Sequence, residues 1–394
     1  MLRIAAGRLA EAAAPHLVFR LGGDEFAILV RDTCTTEAID KIVRQVRAAM
    51  AGPAACDGHV VEPIATMGAA AVAAGDSAQT VRRNADLALY QAKETNRGGF
   101  VWHSPRLATT MMRREAAIRD VAAALGSARI DAYYQPIVRL DTSAIVGVEA
   151  LARLIGENGE IVPAASFYEA TSDVRIASRL TRTMLHIVSS DVRKWLDLGI
   201  PFPHVGINVC SADFHSGKLS AQLIEAFGER NVPLEHVILE ITESVDMTRQ
   251  DPVVPRTIKA MRAKGLRIAL DDFGTGFASL THLFTVPVDA IKIDKSFVDR
   301  LTYGDKSAVI VEGLIGIARK LGIRVVAEGV ETERQAAQLL AFGCKLGQGY
   351  LFSKAVHREE ATAMLLRLAQ KPGDVPRALA REDRRRYPTK LSQM

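Results

Sequence analysis

The sequence predicts a modified (β/α)8 barrel whose first strand runs antiparallel to its neighbours, preceded by a smaller, partial α+β domain. Three observations predict it. From residue 130 onward, short apolar runs alternate with longer helical stretches, the rhythm of a parallel sheet with crossover helices. A stretch of roughly 235 residues with this many strands has the size of a TIM barrel. The first two runs, "AYYQPIVRL" and "AIVGVEAL", are joined by only "DTS", which is too short for a parallel crossover and makes that pair antiparallel.

A chain of 394 residues fits about two domains. With 48% hydrophobic and 24% charged residues it is expected to be globular and not disordered. No apolar run approaches the ~18 to 20 residues that span a bilayer, and the first residues lack a secretory signal. The expectation is a cytoplasmic protein without a membrane partner. Cys34, Cys56, Cys210 and Cys344 show no zinc-type spacing and read as free thiols. Part of the net charge of +5 lies in "RALAREDRRRYPTK". That stretch reads as a solvated basic end, and no motif for a nucleic-acid partner accompanies it.

Along the chain, residues 1–12 read as a helix already under way. Leu2, Ile4, Ala5 and Leu9 form a stripe with no capping residue ahead, which implies lost upstream sequence or a misassigned start. "HLVFRLGGDEFAILV" reads as two strands around a Gly-Gly turn. "TTEAIDKIVRQVRAAMA" is an amphipathic helix with Ile39, Ile42, Val43 and Val46 on one face. "HVVEPIATMGAAAVA" looks like strand material, and "SAQTVRRNADLALYQAKETN" is a helix ended at Gly98-Gly99. Leu107, Met111, Ile118, Val121 and Leu125 recur at helical spacing between Pro105 and Gly126. The expected division is therefore 1–104, a linker helix 105–127, a barrel 128–368 and a tail 369–394. Within the barrel, "HVGINVC", "HVILEIT", "LRIALDD", "VDAIKID" and "IRVVAEG" are the next strands.

Polar residues gather at the C-terminal ends of these strands. Glu149 follows "AIVGV", Asn208 follows "VGI", Glu240 follows "VIL", and Asp271 and Asp272 follow "LRIAL". Lys292 lies in "AIKID", Glu328 follows "VVA", and Gln348 stands in "LGQGY". In a βα barrel those ends converge on one mouth, where the chemistry sits. Any one of these residues alone reads as a helix cap or a surface charge; seven successive strand ends do not. Several carboxylates in one pocket repel one another unless cations neutralise them. Oxygen ligands without His or Cys suit two Mg²⁺ or Mn²⁺ ions, and such a pair serves attack of water on a phosphodiester. Lys292 would add positive charge for the water or the transition state. Gly274 and Gly276 in "DDFGTGFASL" suggest a tight, mobile loop beside the site. No GxxxxGK[ST] phosphate loop is present.

The set "EALAR", "INVCSADF", "LEITES", "DDFGTGFASL", "IKIDKSF", "AEGVET" and "GQGYLFS", in this order, resembles the EAL domain family over about residues 112–368. That family comprises phosphodiesterases that linearise cyclic di-GMP to pGpG with Mg²⁺ or Mn²⁺. The resemblance implies Glu149, Asn208, Glu240 and Asp271 as metal ligands, with Asp272 at the second metal. It implies Lys292 on the catalytic water and Glu328 assisting the metal site or the water. Glu243 and Glu331 would brace the loop after Asp272, and Gln348 would contact metal-bound waters. Arg153 with Leu151 would grip a substrate phosphate, and Gln135 would contact guanine. A homodimer is also implied. Cys210 stands where serine is usual, and "GFASL" replaces "GYSSL", both outside the metal set.

Gly22-Gly23-Asp24-Glu25-Phe26 resembles the motif of the GGDEF, or diguanylate cyclase, family, and "ADLALYQAKETNR" fits with Lys93 and Arg97 at phosphate-holding positions. The family's opening strand with another metal-binding aspartate has no counterpart in the nineteen residues before "RLGGDEFAILV". Its inhibitory RxxD is also missing, with Ala13 and His16 in those places. Half the ligands should not suffice for phosphoryl transfer, so the motif is expected to be a catalytically inactive remnant. GTP binding there is an open but disfavoured expectation. The alternatives to a phosphodiesterase are a non-catalytic cyclic di-GMP receptor or interaction module, and a bifunctional cyclase and phosphodiesterase.

Overall fold

A computed structural model describes residues 1–31, 35–56, 59–95, 97–242, 245, 252–274, 283, 286–301 and 306–369. The basic tail, Cys34 and most of the loop after Gly274 lie outside the described residues. The chain divides into two compact units, 1–115 and 116–394, with the division falling inside the helix Pro105–Gly126.

In the first unit, Ala5 and Leu9 of helix Leu2–Ala12 pack on Val46 and Met50 of helix Thr36–Met50. Thr35 caps the second helix by accepting from the Ala38 N–H. The strands Leu17–Gly22 and Glu25–Leu29 form an antiparallel hairpin. Its turn lies on Gly23 and Asp24, one residue later than a Gly-Gly turn, and Gly23 takes a φ of 48° that favours glycine. Val18, Phe26 and Ile28 cover the two helices, whereas Leu17, Phe19, Leu21 and Leu29 on the other strand positions are exposed. The expected strand after residue 59 is shorter than the sequence suggests. Only His59–Val61 and Met67–Ala69 are extended pairs, and Pro63 between them has no N–H to give a ladder. Met67–Ala69 pairs in parallel with Phe100–Trp102.

The second unit is a closed eight-stranded barrel. Its strands are β1 (Ile130–Arg139), β2 (Ile145–Ile155), β3 (Val205–Val209), β4 (Val237–Thr242), β5 (Arg267–Phe273), β6 (Ala290–Ile293), β7 (Arg324–Ala327) and β8 (Leu346–Gly347). Each from β2 to β8 pairs in parallel with the next, and β1 closes the ring by pairing antiparallel with both β2 and β8. The five residues between β1 and β2 are too few for a parallel crossover and enforce that reversal. Strands read as continuous apolar runs because both their faces are covered: in β4, Val237 through Ile241 are all buried.

The helix Val174–Asp197 starts at Asp173, whose carboxylate accepts from the Arg175 and Ile176 N–H groups. It packs on the outside of β1, where Tyr134 and Trp195 meet edge to face at 4.9 Å. The helix Arg358–Ala369 docks beside it through a 2.8 Å hydrogen bond from Trp195 Nε1 to Thr362 Oγ1. No helix among the described residues is long and apolar enough to cross a membrane.

Candidate active site

Parallel register brings the strand-end polar residues to one mouth. Asn208 on β3 lies opposite Glu240 on β4, and Thr242 opposite Asp271 on β5. The reversed β1 contributes from the other side, placing Gln135 opposite Glu149 of β2. Side chains two apart share a face of a strand, so Glu149, Leu151 and Arg153 form one row, flanked by Gln135 and Tyr133.

Lys292 stands at the centre of this mouth and is 1% exposed. Its Nζ lies 2.7 Å from Glu240 Oε2, 2.7 Å from Glu328 Oε1, 3.1 Å from Glu149 Oε2 and 3.3 Å from Asp271 Oδ1. Burial disfavours the charged ammonium, but the four carboxylates outweigh it and hold the lysine firmly protonated. Burial also pushes Glu149 up, yet Lys292 and the amides of Gln348 and Asn208 more than reverse that and keep it ionised. The remaining acids cannot all be satisfied by one ammonium. Burial and mutual repulsion raise Glu240 and Asp271, take Asp272 up to about 6, and take Glu328 up to about 8.

Protonation gives an expected pH dependence. These acids keep protons in the folded protein that the unfolded chain releases above about pH 4.5. The unfolded state therefore binds fewer protons through neutral pH, and stability of the ion-free protein should fall as pH rises from about 5 to 8. Urea unfolding in EDTA across that range checks it; a flat or rising stability contradicts it.

Two consecutive aspartates in a regular strand point to opposite faces. Here the β5–β6 register shifts between Leu270 and Phe273, and Asp272 adopts a left-handed φ of 54°. The bulge lets Asp271 and Asp272 serve the same mouth. Carboxylate oxygens of Glu149, Glu240 and Asp271 come within 4.8 Å of one another, and so do those of Asp271, Asp272 and Glu328. Asp271 belongs to both groups. All donors are oxygens, and the Oε1 of buried Gln348 has no partner among the described residues. This donor set fits hard divalent cations and their waters.

Around this centre, Asn208 Nδ2 donates to Glu149 Oε1 at 2.7 Å, and Gln348 Nε2 donates to Glu149 Oε2 at 2.7 Å. Gln348 Nε2 also reaches Gln135 Oε1 at 3.0 Å, and Gln135 Nε2 donates to the Ser353 carbonyl at 3.0 Å. Both ends of the Gln135 amide therefore have partners within the barrel. Leu151 and Arg153 are half-buried beside the mouth, and the Arg153 guanidinium lies 5.7 Å from the centroid of the Tyr133 ring. Glu331 meets Lys295 Nζ at 2.5 Å, just beyond β6. Glu243 lies outside the described residues. In the first unit, Asp24 and Glu25 are exposed, Glu25 is 4.0 Å from Lys93, and Arg20 folds over the turn to donate to the Gly23 carbonyl at 2.8 Å. Neither acid joins the groups able to share an ion among the described residues.

Gly206 is a residue the strand-end reading missed. A Cβ there would lie 2.0 Å from Glu240 Oε1, so the bare backbone is what leaves room for the carboxylate. The available signal is a glycine inside strand β3, which marks a close approach. Gly206→Ala should displace Glu240 and weaken divalent-ion binding by about 10- to 100-fold, the range for disturbed support of a metal site. Calorimetric titration with Mn²⁺ checks this, and unchanged affinity contradicts it.

Comparison with known proteins gives two family matches. The model described as "EAL domain" matches residues 118–355, and that described as "Diguanylate cyclase, GGDEF domain" matches residues 1–99. The bifunctional diguanylate cyclase/cyclic di-GMP phosphodiesterase MucR of Pseudomonas aeruginosa is 28% identical over 367 residues, 92% of this chain and 53% of that protein. The cyclic di-GMP phosphodiesterase NbdA of the same bacterium is 30% identical over 342 residues, 86% of this chain and 43% of its own length. The chain thus spans about half the length of these curated relatives. Among solved structures, the PaMucR phosphodiesterase in complex with c-di-GMP matches with a TM-score of 0.59 at 29% identity, covering 62% of this chain and 99% of that one.

Proposed function

Because the chain belongs to the EAL domain family, we propose that its barrel is a phosphodiesterase that opens cyclic di-GMP to linear pGpG with the help of Mg²⁺ or Mn²⁺. The observation that carries this reading is the crowding of Glu149, Glu240, Asp271 and Glu328 around the ammonium of Lys292, with Asp272 beside them. So many enclosed acids around one cation call for further positive charge. Two divalent ions would supply it, along with Lewis acidity toward a phosphodiester and an attacking water.

Glu149, Asn208, Glu240 and Asp271 would hold one ion, and Asp271, Asp272 and Glu328 the other. Asn208 gives its amide N–H to Glu149, which leaves its carbonyl oxygen as the ligand atom. Lys292 keeps a fixed positive charge beside the reacting phosphate and anchors four carboxylates at once. Glu328, with a carboxyl pushed up to about 8, can hold or release a proton near neutral pH. Arg153 and Leu151 would grip a substrate phosphate at the rim. Gln135 ties Gln348 to the Ser353 segment, and from there it can present the guanine contact.

The protein would act in the cytoplasm, where the thiols of Cys56, Cys210 and Cys344 stay free. We also propose a homodimer. The helix Lys306–Leu321 exposes Val309, Ile310, Ile317 and Leu321, and nothing crowds Gly313 and Gly316 on the same helix. A second copy could approach closely along such a face.

The test is incubation of the purified chain with cyclic di-GMP and Mg²⁺ or Mn²⁺, with products separated by chromatography. Conversion to pGpG that stops with chelator is expected. Binding without conversion would sink the phosphodiesterase reading and favour a receptor.

A further inference from the structure

Beyond the mouth, the short strand Val356–His357 pairs antiparallel with β1, so that Val356 faces Tyr134 and His357 faces Tyr133. The His357 and Tyr133 rings lie 5.4 Å apart at a tilt of 56°. Tyr133 in turn carries the Arg153 guanidinium, 5.7 Å from its ring centroid. Across the β1–β2 ladder, Tyr133 stands opposite Leu151, and Asp131 opposite Arg153. A continuous row therefore runs from Glu149 through Leu151, Tyr133 and Arg153 to His357.

His357 is itself held tightly. Its Nε2 is 3.1 Å from Asp131 Oδ2, and its Nδ1 meets the Glu359 carboxylate. The next residue, Arg358, pairs with Asp131 and reaches Asp191 Oδ1 at 3.4 Å on the helix Val174–Asp197. Asp191 also accepts from the Tyr134 hydroxyl at 2.7 Å. The root of the helix Arg358–Ala369 is thus fastened to β1 from several sides, and the His357 ring lies against Tyr133. Arg153, by contrast, makes one hydrogen bond among the described residues, from Nη1 to the Ala152 carbonyl at 2.9 Å. Its long side chain takes its direction largely from the aromatic ring it lies against.

We propose that His357 is a positioning residue for substrate binding: it holds the Tyr133 ring against the Arg153 guanidinium, so that the root of the helix Arg358–Ala369 sets the aim of the arginine. This rests on the reading of Arg153 as the phosphate grip of a cyclic di-GMP phosphodiesterase. Removing the His357 ring leaves the acids around Lys292 untouched, so the loss falls on binding and not on the chemical step.

The test uses the full chain. His357→Ala should raise KM by about 3- to 10-fold, the worth of a partly exposed cation–π contact, with kcat within about 2-fold. His357→Phe keeps a ring against Tyr133 without the contacts to Asp131 and Glu359, and should recover most of the loss. In an Arg153→Ala background, His357→Ala should have no further effect on KM. Equilibrium binding of cyclic di-GMP in EDTA should follow the same pattern in Kd. Unchanged KM and Kd in His357→Ala, a fall in kcat alone, or effects that multiply with Arg153→Ala would each overturn the proposal. A wild-type protein that binds cyclic di-GMP without hydrolysing it sinks the phosphodiesterase reading alone, and the Kd series then decides the role of His357. A protein that does not bind the nucleotide sinks both.

Discussion

Glu149→Ala is expected to abolish hydrolysis of cyclic di-GMP while leaving the barrel folded. Glu149 accepts from Asn208, Gln348 and Lys292, and so fixes three other members of the mouth as well as offering its own oxygens. Loss of kcat by at least about 10²- to 10³-fold is the scale for removing one preorganised electrostatic contact at a transition state. Stability should move the other way or not at all. Lys292 retains three carboxylates, and Glu240, Asp271 and Glu328 each lose a repelling neighbour that helps to raise them. Initial rates with Mg²⁺ and urea unfolding in EDTA measure the two halves. Retained hydrolysis would refute the proposed site, and a collapsed fold would show Glu149 to be structural.

Lys292→Met should lose both activity and stability. Methionine fills the volume of the lysine stem but removes the charge that faces all four acids. Breaking a buried pair by removing one partner typically costs about 3 to 5 kcal/mol, because the other partner stays buried and unpaired. The ion-free variant should unfold at markedly lower urea, and Mg²⁺ or a lower pH should restore part of the loss by neutralising the acids. A midpoint equal to that of the wild type in EDTA would mean that the ammonium is not the counter-ion the geometry makes it. The pair of variants separates two roles that a loss of activity alone would merge.

Much of this was legible in the sequence. The (β/α) rhythm and the three-residue link after "AYYQPIVRL" fix the barrel and its reversed first strand, because chain length between strands limits which pairings are possible. Strand-end placement likewise brings Glu149, Glu240, Asp271, Lys292 and Glu328 together, since parallel strands of one barrel share a mouth. Other features depend on contacts distant in sequence. Nothing local to "VGIN" says that Gly206 faces the Glu240 carboxylate, and nothing in "GVET" says that Glu331 pairs with Lys295. "HVVEPIATMG" has the composition of one strand, but Pro63 divides it into two short strands that pair with different partners. In the opening hairpin, the glycine pair misplaces the turn by one residue because Gly22 still pairs with Glu25.

The left-handed backbone at Asp272 narrows how this barrel could change over evolutionary time. Of the side chains other than glycine, aspartate and asparagine settle most readily at such a φ, so most replacements there would strain the bulge as well as remove a carboxylate. Asparagine is a single base change from aspartate in the genetic code. On the proposed function, the easiest descent from hydrolase to a barrel that only binds cyclic di-GMP passes through Asp272→Asn, with the fold intact and the acid set one charge short.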